Sequence, residues 1–182
     1  LPWVNELIDA ELQHLAAKLI ASQLRDQLRK NGQQLTRVAG VPTLGSYLSV
    51  HLAEELRVPL VPARKSKHVP GRWKEAIVIN ENMKRTMDGV VVSHIYNGIR
   101  SNNGEVVLFV DDILGDGDTL IPIIEWAKKE EIIPYVAVYA DKLYRKGHTR
   151  MLEQGITPIF CYGIERDLSN GSIFLTPPIF KQ

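Results

Sequence analysis

A short apolar run that ends in two aspartates and a glycine-containing turn is the feature that most constrains this chain. The run Val106-Val107-Leu108-Phe109-Val110 predicts a strand buried on both faces, which is typical of a parallel sheet. The pair Asp111-Asp112 follows directly, and the turn Gly115-Asp116-Gly117-Asp118-Thr119 leads into a helical pattern. Ligands of open α/β sheets bind at the carboxyl ends of the strands. We therefore expect a ligand site where this strand ends.

The residue types at this strand end indicate what kind of ligand it can hold. A turn rich in backbone N–H groups that opens onto a helix N-terminus is a natural anion cradle. The acidic pair suits hydroxyl groups or a hydrated Mg²⁺. Together they predict a site for a phosphorylated sugar, and a solvated acidic turn is the alternative. Asp116 and Asp118 would repel a phosphate unless they point outward or are neutralised.

Composition indicates an ordinary globular chain. Its 182 residues are 45% hydrophobic and 24% charged, enough for one domain with a full core. The net charge of +1 gives no field that points to nucleic acid or membrane. Cys161 is the single cysteine, which excludes an intramolecular disulfide and a thiolate metal cluster. No signal segment or bilayer-length apolar stretch is visible, so we expect a cytoplasmic location by default.

Strand and helix patterns alternate along the chain. Apolar spacing and cap residues predict helices over 9–30, 47–56, 119–131 and 145–154. Buried strands are expected over 35–41, 58–63, 106–110, 133–140 and 157–162, an antiparallel hairpin over 76–80 and 90–95, and a loop over 64–72. This βαβ order predicts an α/β fold, a parallel sheet with helices on both faces.

The strand, acidic pair and turn over 106–119 resemble the thirteen-residue motif that binds 5-phosphoribosyl-1-diphosphate (PRPP) in type I phosphoribosyltransferases. The resemblance implies that Asp111 and Asp112 bind the ribose hydroxyls and a Mg²⁺ ion. It implies that Gly115, Asp116, Gly117, Asp118 and Thr119 wrap the 5-phosphate. The family loop usually carries neutral residues where this chain has Asp116 and Asp118.

A basic segment follows the strand expected over 58–63. Arg64, Lys65 and Lys67 are its cations, and His68 lies beside them. A solvated basic turn is the common interpretation of such a run. The segment is also similar to the mobile loop of the adenine and xanthine branches of the family, expected here over about 64–75. That similarity implies that Arg64, Lys65 and Lys67 contact diphosphate.

Three further segments are similar to the family's binding elements. Thr43, Leu44 and Gly45 match the loop that holds diphosphate, although an ordinary helix N-terminus explains them equally. Lys142 matches a lysine that recognises the oxygen of a 6-oxopurine. Asn5 lies in a segment similar to the base-binding hood of xanthine phosphoribosyltransferases, where its amide would read the base edge. The hood would be formed by the chain ends, about 1–10 and 163–182, within one domain over 1–182.

The resemblance implies an enzyme that transfers the phosphoribosyl group of PRPP to a purine base. The products would be a nucleoside 5-monophosphate and diphosphate, with Mg²⁺ as cofactor. A 6-oxopurine, xanthine first, is the expected acceptor, and a homodimer is the expected assembly. One alternative is a non-catalytic protein of the same fold that senses PRPP or a nucleotide, which Asp116 and Asp118 favour. A second is an orotate-type phosphoribosyltransferase.

Overall fold

A computed structural model describes residues 9–42, 44–61, 63–66, 77–80, 93–96, 104–167 and 169–177, with only the backbone over 63–66, 77–80 and 93–96. The helices of these residues are α1 (Ala10–Asn31), α2 (Gly45–Leu56), α3 (Leu120–Lys129) and α4 (Lys146–Glu153). Their strands are β1 (Arg37–Gly40), β2 (Leu60–Val61), β3 (Ala63–Ser66), β4 (Ile77–Asn80), β5 (Ser93–Tyr96), β6 (Val106–Leu114), β7 (Ile133–Asp141), β8 (Ile159–Arg166) and β9 (Ile173–Thr176).

A six-stranded sheet forms the centre of the fold, in the order β2-β1-β6-β7-β8-β9. All neighbouring strands in it are parallel except β8 and β9, which pair antiparallel. A separate sheet has the order β3-β5-β4 and is antiparallel. The expected parallel α/β sheet and the expected antiparallel hairpin are both confirmed. The central strand β6 ends between β1 and β7, where ligands of such sheets bind.

The two faces of the large sheet are covered by separate apolar clusters. On one face, residues of α1 and α2 such as Ile20, Leu24 and Leu48 pack against Leu108 and Val110. The other face packs α3 against the alternate residues of β6, including Phe109. Strands buried on both faces read as continuous apolar runs. The burial of residues 106–110 on both faces was therefore predicted correctly from their sequence.

The sequence also defines the ends of α1. The Asp9 carboxylate accepts hydrogen bonds from the backbone N–H groups of Glu11 and Leu12 at the N-terminus. At the other end, Gly32 adopts a left-handed conformation with φ of 63°. Glycine adopts that conformation without the steric cost of a Cβ. Within the described ranges no helix is long and apolar enough to cross a bilayer.

The bounds of several strands differ from the sequence expectation. The strand expected over 157–162 is β8, which spans Ile159–Arg166, and the strand expected over 35–41 is the shorter β1. Strand β6 does not end before Asp111 but runs to Leu114, because Asp111 and Ile113 remain paired with Val138 and Ala140 of β7. The strand expected over 58–63 is two short strands in different sheets. Pro62 lies between them in the sequence, and proline supplies no backbone N–H to continue a ladder.

The expected loop over 64–72 is also wrong at its start. Arg64 and Lys65 lie in β3, where they are opposite Ile95 and His94 of β5. The polar residues of this segment predicted a loop. Local composition does not reveal that the segment pairs with a strand about thirty residues away in the sequence. Lys67 and the remainder of the proposed mobile loop lie outside the described residues.

Candidate functional site at the carboxyl end of the central strand

A cavity of about 220 Å³ lies at the carboxyl ends of β6 and β7. The end of β6, the turn that follows it and the start of α3 form most of its wall. The segment between β7 and α4 completes it. Its lining residues are Asp111, Ile113, Leu114, Gly115, Asp116, Gly117, Asp118, Thr119, Leu120, Lys142 and Arg145.

The acidic pair of β6 has one member on the cavity. Asp111 is 8% exposed and lines the cavity, whereas Asp112 is partly buried and is not among the lining residues. The backbone N–H of Asp112 donates to Oδ1 of Asp111 at 2.9 Å. Among the described residues, no group of three His, Cys, Asp or Glu could enclose a metal ion. Carboxylate oxygens are ligands that a hydrated Mg²⁺ accepts, so the residue types of this pair fit such an ion.

The turn from Gly115 to Thr119 is held closely against α4. The backbone N–H of Gly147 donates to the carbonyl of Gly115 at 2.9 Å. A Cβ on Gly147 would collide with that carbonyl oxygen and would lie 2.8 Å from Cδ1 of Leu114. Gly117 has a φ of 82°, a left-handed conformation that favours glycine. The glycines thus allow a tight turn directly beneath a helix N-terminus.

Both carboxylates of the turn are paired with arginines. Nη2 of Arg145 lies 2.6 Å from Oδ2 of Asp116, and Nη1 of Arg150 lies 2.9 Å from Oδ1 of Asp118. Nη1 of Arg150 also donates to the backbone carbonyl of Asp116 at 2.5 Å. The neutralisation that a phosphate would require at this turn is therefore present.

The sequence interpretation did not identify Arg145 or Arg150. Their sequence signal is weak, because it consists only of basic residues at the start of a helix that follows a strand end. In a parallel α/β sheet, however, neighbouring strand ends share one edge. Cations after β7 could thus have been matched to carboxylates after β6.

Lys142 lies where β7 leaves the sheet. Its backbone N–H donates to the carbonyl of Leu114 at 2.9 Å, and its carbonyl accepts from the N–H of Arg145 at 2.7 Å. This turn brings Lys142 and Arg145 to the same cavity. The preceding residue, Asp141, is fully buried. Burial raises the pKa of its carboxyl, while the hydrogen bond and charge of His148 act in the opposite direction.

A close approach of backbones brings a second loop to β6. A Cβ on Gly45 would lie 2.5 Å from the carbonyl oxygen of Val110 and 2.7 Å from Cα of Asp111. Only glycine therefore lets the start of α2 lie directly against the acidic pair. Leu44 immediately precedes this helix, and the C=O of Leu44 accepts a hydrogen bond from the N–H of Tyr47.

The structure thus brings together some of the residues predicted from sequence. Asp111, the whole turn from Gly115 to Thr119, and Lys142 share one cavity, and Gly45 abuts Asp111. For Arg64 and Lys65 only the backbone in β3 is described. Asn5, Thr43 and Lys67 lie outside the described residues.

Known proteins share this sequence and this fold. Residues 5–157 match the family model "Phosphoribosyl transferase domain". A xanthine phosphoribosyltransferase of Lactococcus lactis subsp. cremoris is 25% identical over 178 residues, which are 96% of this chain and 84% of that protein. A hypoxanthine/guanine phosphoribosyltransferase of Methanothermus fervidus is 29% identical over 113 residues, 60% of this chain and 54% of that protein.

A solved structure of adenine phosphoribosyltransferase from Rhodothermus marinus superposes with a TM-score of 0.65 at 21% identity. The match covers 84% of this chain and 79% of that one. At this identity the likeness shows a shared fold, the type I phosphoribosyltransferase α/β fold. Since the family model spans most of the sequence, including the acidic pair and the turn that follows it, this chain belongs to the phosphoribosyl transferase domain family.

Proposed function

We propose that this protein transfers the phosphoribosyl group of PRPP to a purine base, with a 6-oxopurine as acceptor and xanthine as the favoured one. The observation that carries the proposal is the single cavity shared by Asp111, the turn from Gly115 to Thr119 and Lys142. This set offers acceptors for sugar hydroxyls, a cradle for a phosphate and a donor for a base. A nucleoside monophosphate and diphosphate would be the products.

In this proposal the ribose and its phosphate occupy the two halves of the β6 strand end. Asp111 and Asp112 accept hydrogen bonds from the ribose hydroxyls, and Gly115, Asp116, Gly117, Asp118 and Thr119 surround the 5-phosphate. Asp111 and Asp112 would hold a hydrated Mg²⁺, which would supply positive charge that neutralises diphosphate and organises the ribose. The carboxylates also favour the positive charge that develops on the ribose as diphosphate departs.

The diphosphate side of the site would be formed by the remaining predicted residues. Thr43, Leu44 and Gly45 would bind diphosphate through the loop before α2. The close packing of Gly45 on Asp111 supports this arrangement, because it sets that loop beside the ribose site. Arg64, Lys65 and Lys67 would stabilise the departing negative charge, and closure of their segment would exclude water.

The side chain of Lys142 supports a 6-oxopurine over adenine. A lysine ammonium group has three donors and no acceptor. It therefore suits the exocyclic oxygen of xanthine, hypoxanthine or guanine better than the exocyclic amino group of adenine. Asn5 would read another edge of the base. The similarity to a xanthine phosphoribosyltransferase over most of both chains also supports xanthine.

Ion pairing at the turn weakens the case for a non-catalytic sensor. That case was based on the charge of Asp116 and Asp118, but Arg145 and Arg150 balance these carboxylates. An orotate-type transferase is a further alternative, and a comparison of acceptor bases separates it from a purine enzyme.

The decisive experiment measures release of diphosphate from PRPP and Mg²⁺ with xanthine, hypoxanthine, guanine, adenine and orotate in parallel. Release with xanthine, and more slowly with the other 6-oxopurines, is the expected result. Release with orotate alone would replace the purine assignment. If folded protein binds PRPP and releases no diphosphate with any base, the protein is a sensor.

We also expect a homodimer, in which the basic segment of one subunit lies beside the site of the other. Light scattering coupled to gel filtration measures the mass directly. A mass only near 20.5 kDa, that of one chain, would contradict the dimer.

A further inference from the structure

We propose that Arg145 binds the 5-phosphate of the phosphoribosyl ligand, and that Asp116 orients its guanidinium group at the cavity. The inference rests on the proposed function and adds a residue to its phosphate site. Neither the acidic pair nor the turn after β6 contains this arginine. It reaches the site from the segment between β7 and α4.

Arg145 lies where a ligand in the cavity can reach it. Arg145 lines the same cavity as Gly115, Asp116 and Thr119. Its side chain is 42% exposed, so an incoming ligand can reach it. Lys146, the next residue, is exposed and is not among the lining residues. Of these two adjacent cations, only Arg145 is directed to the cavity.

Arg145 also has hydrogen-bond donors that Asp116 does not use. A guanidinium group has five N–H donors in a planar fork that matches phosphate oxygens. Contact with Oδ2 of Asp116 engages Nη2 at 2.6 Å. Within the described part of the chain, Arg145 has no second side-chain acceptor. Donors therefore remain for a phosphate while the carboxylate restricts the side chain to one orientation.

Arg150 provides an internal contrast. It donates to Oδ1 of Asp118 and to the backbone carbonyl of Asp116, and it does not line the cavity. Its contacts hold the turn itself. Arg150 is thus a positioning residue, whereas Arg145 is placed to touch the ligand.

The charges around the cavity also favour this role for Arg145. Three carboxylates at the cavity, Asp111, Asp116 and Asp118, would repel a phosphate dianion. Lys142, Arg145 and Arg150 supply three positive charges against them. Partly exposed ion pairs contribute little to folding stability, so stability alone is a weak reason for two arginines at this turn. Phosphate binding would use both the positive charge of Arg145 and the planar arrangement of its guanidinium donors.

The test uses Arg145→Gln with Lys146→Gln as the matched control, because both remove one positive charge from adjacent positions. Calorimetry measures the affinity for ribose 5-phosphate and for magnesium diphosphate. Arg145→Gln is expected to weaken the binding of ribose 5-phosphate by about ten- to a hundredfold, because it loses a hydrogen bond to a charged group. The affinity of Arg145→Gln for magnesium diphosphate should equal that of the wild type. Lys146→Gln should bind both ligands as tightly as the wild type does. Equal affinity of Arg145→Gln and wild type for ribose 5-phosphate would overturn the inference, as would an equal loss for both ligands.

A second measurement needs no variant and therefore does not depend on folding of Arg145→Gln. Phenylglyoxal modifies accessible arginines, and peptide mass spectrometry reports each site. Ribose 5-phosphate should protect Arg145 while ribose does not, and Arg29, 79% exposed on α1, should be modified equally under all conditions. Unchanged modification of Arg145 with saturating ribose 5-phosphate would refute its role.

These results separate the inference from the function on which it rests. If the wild type binds neither PRPP nor ribose 5-phosphate, both fail. In another outcome, Arg145→Gln loses affinity for ribose 5-phosphate alone while no base supports diphosphate release from the wild type. In that case the phosphate-binding role of Arg145 is confirmed and the transferase reaction is not.

Discussion

Nδ1 of His148 lies 2.5 Å from Oδ2 of Asp141, linking α4 to the carboxyl end of β7. The Asp141 side chain is fully buried, and among the described residues its Oδ1 has no hydrogen-bond partner. Burial raises the pKa of this carboxyl, and the contact with His148 opposes that rise without cancelling it. Protonation of Asp141 therefore affects the stability of the packing between β7 and α4. Asp141 directly precedes Lys142.

This coupling predicts how stability depends on pH. The folded pKa of Asp141 lies above its unfolded value, so the unfolded chain releases this proton first as pH rises. The stability contribution of Asp141 is therefore complete below the unfolded pKa near 4 and is lost as pH rises through the folded pKa. Asp141→Asn lacks this loss. Urea denaturation across a pH series should show wild-type stability falling relative to Asp141→Asn as pH rises.

Leu152→Ala is the control for this prediction, because it alters an exposed residue of α4 without changing any titratable group. Its difference from the wild type should stay constant with pH. A difference between wild type and Asp141→Asn that is also constant would contradict the raised pKa.

Replacing both aspartates of β6 should abolish PRPP binding and leave the fold intact. Asp111→Asn with Asp112→Asn keeps the side-chain shapes and an acceptor for the Asp112 N–H, but removes two charges that would hold ribose and hydrated Mg²⁺. Calorimetry measures PRPP affinity, and circular dichroism checks the fold. Glu125→Gln with Glu153→Gln removes two exposed charges elsewhere and should bind normally. Unchanged PRPP affinity in the aspartate variant would remove the central site assignment.

Neutralising Asp118 should tighten PRPP binding. Asp118→Asn removes one negative charge, while Asp116 keeps its ion pair with Arg145 and Arg150 keeps its contact with the Asp116 carbonyl. We expect the dissociation constant to fall on the order of fivefold, corresponding to ~1 kcal/mol of relieved repulsion. The effect should shrink as salt concentration rises, since exposed charges are screened. Weaker binding would mean that the contact of Asp118 with Arg150 outweighs the repulsion.

Gly45→Ala should destabilise the fold and displace the loop before α2. The added Cβ would meet the backbone of Val110 and Asp111 at 2.5 and 2.7 Å, and backbone atoms cannot move aside easily. We expect a loss of about 1–3 kcal/mol in the free energy of unfolding, typical of overpacking. Gly115→Ala is a useful comparison for stability, because its Cβ would meet no atom within 4 Å. Equal stability of the two variants would show that the close approach at Gly45 is not required.

The single cysteine should be unreactive in the folded protein. Burial raises the pKa of the Cys161 thiol to about 12, and its Sγ lies 3.8 Å from the carbonyl of Ala16. At pH 8 the thiol is then almost wholly protonated, and the thiolate is the reactive form. Iodoacetamide labelling followed by mass spectrometry should be slow in buffer and fast in 8 M urea, where the pKa returns to about 8.5. Fast labelling of native protein would contradict the raised pKa of this partly buried thiol.

Local patterns predicted most of the fold. Helix α1 was expected over 9–30 and is observed over Ala10–Asn31, because apolar spacing and two cap residues act within a few residues of each other. The strand over 106–110 was recognised for a similar reason. Its continuation to Leu114 was missed, since that extension depends on pairing with β7.

The candidate site was only partly predictable. Asp111 and the turn from Gly115 to Thr119 are adjacent in sequence, so their joint placement followed from one strand end. The arginines could not be assigned in this way. Asp116 and Arg145 are 29 residues apart, and Asp118 and Arg150 are 32 apart.

The sequence by itself determined the alternation of strands and helices, the burial of β6 and the presence of an acidic turn after it. These properties are set by short-range periodicity, by capping and by the conformational freedom of glycine. Only the tertiary structure decided that the acidic turn is neutralised, because parallel packing of β6 beside β7 brings the start of α4 over that turn. The local sequence thus specified which residues lie at the end of β6. The pairing of β6 with β7 specified which positive charges lie opposite them.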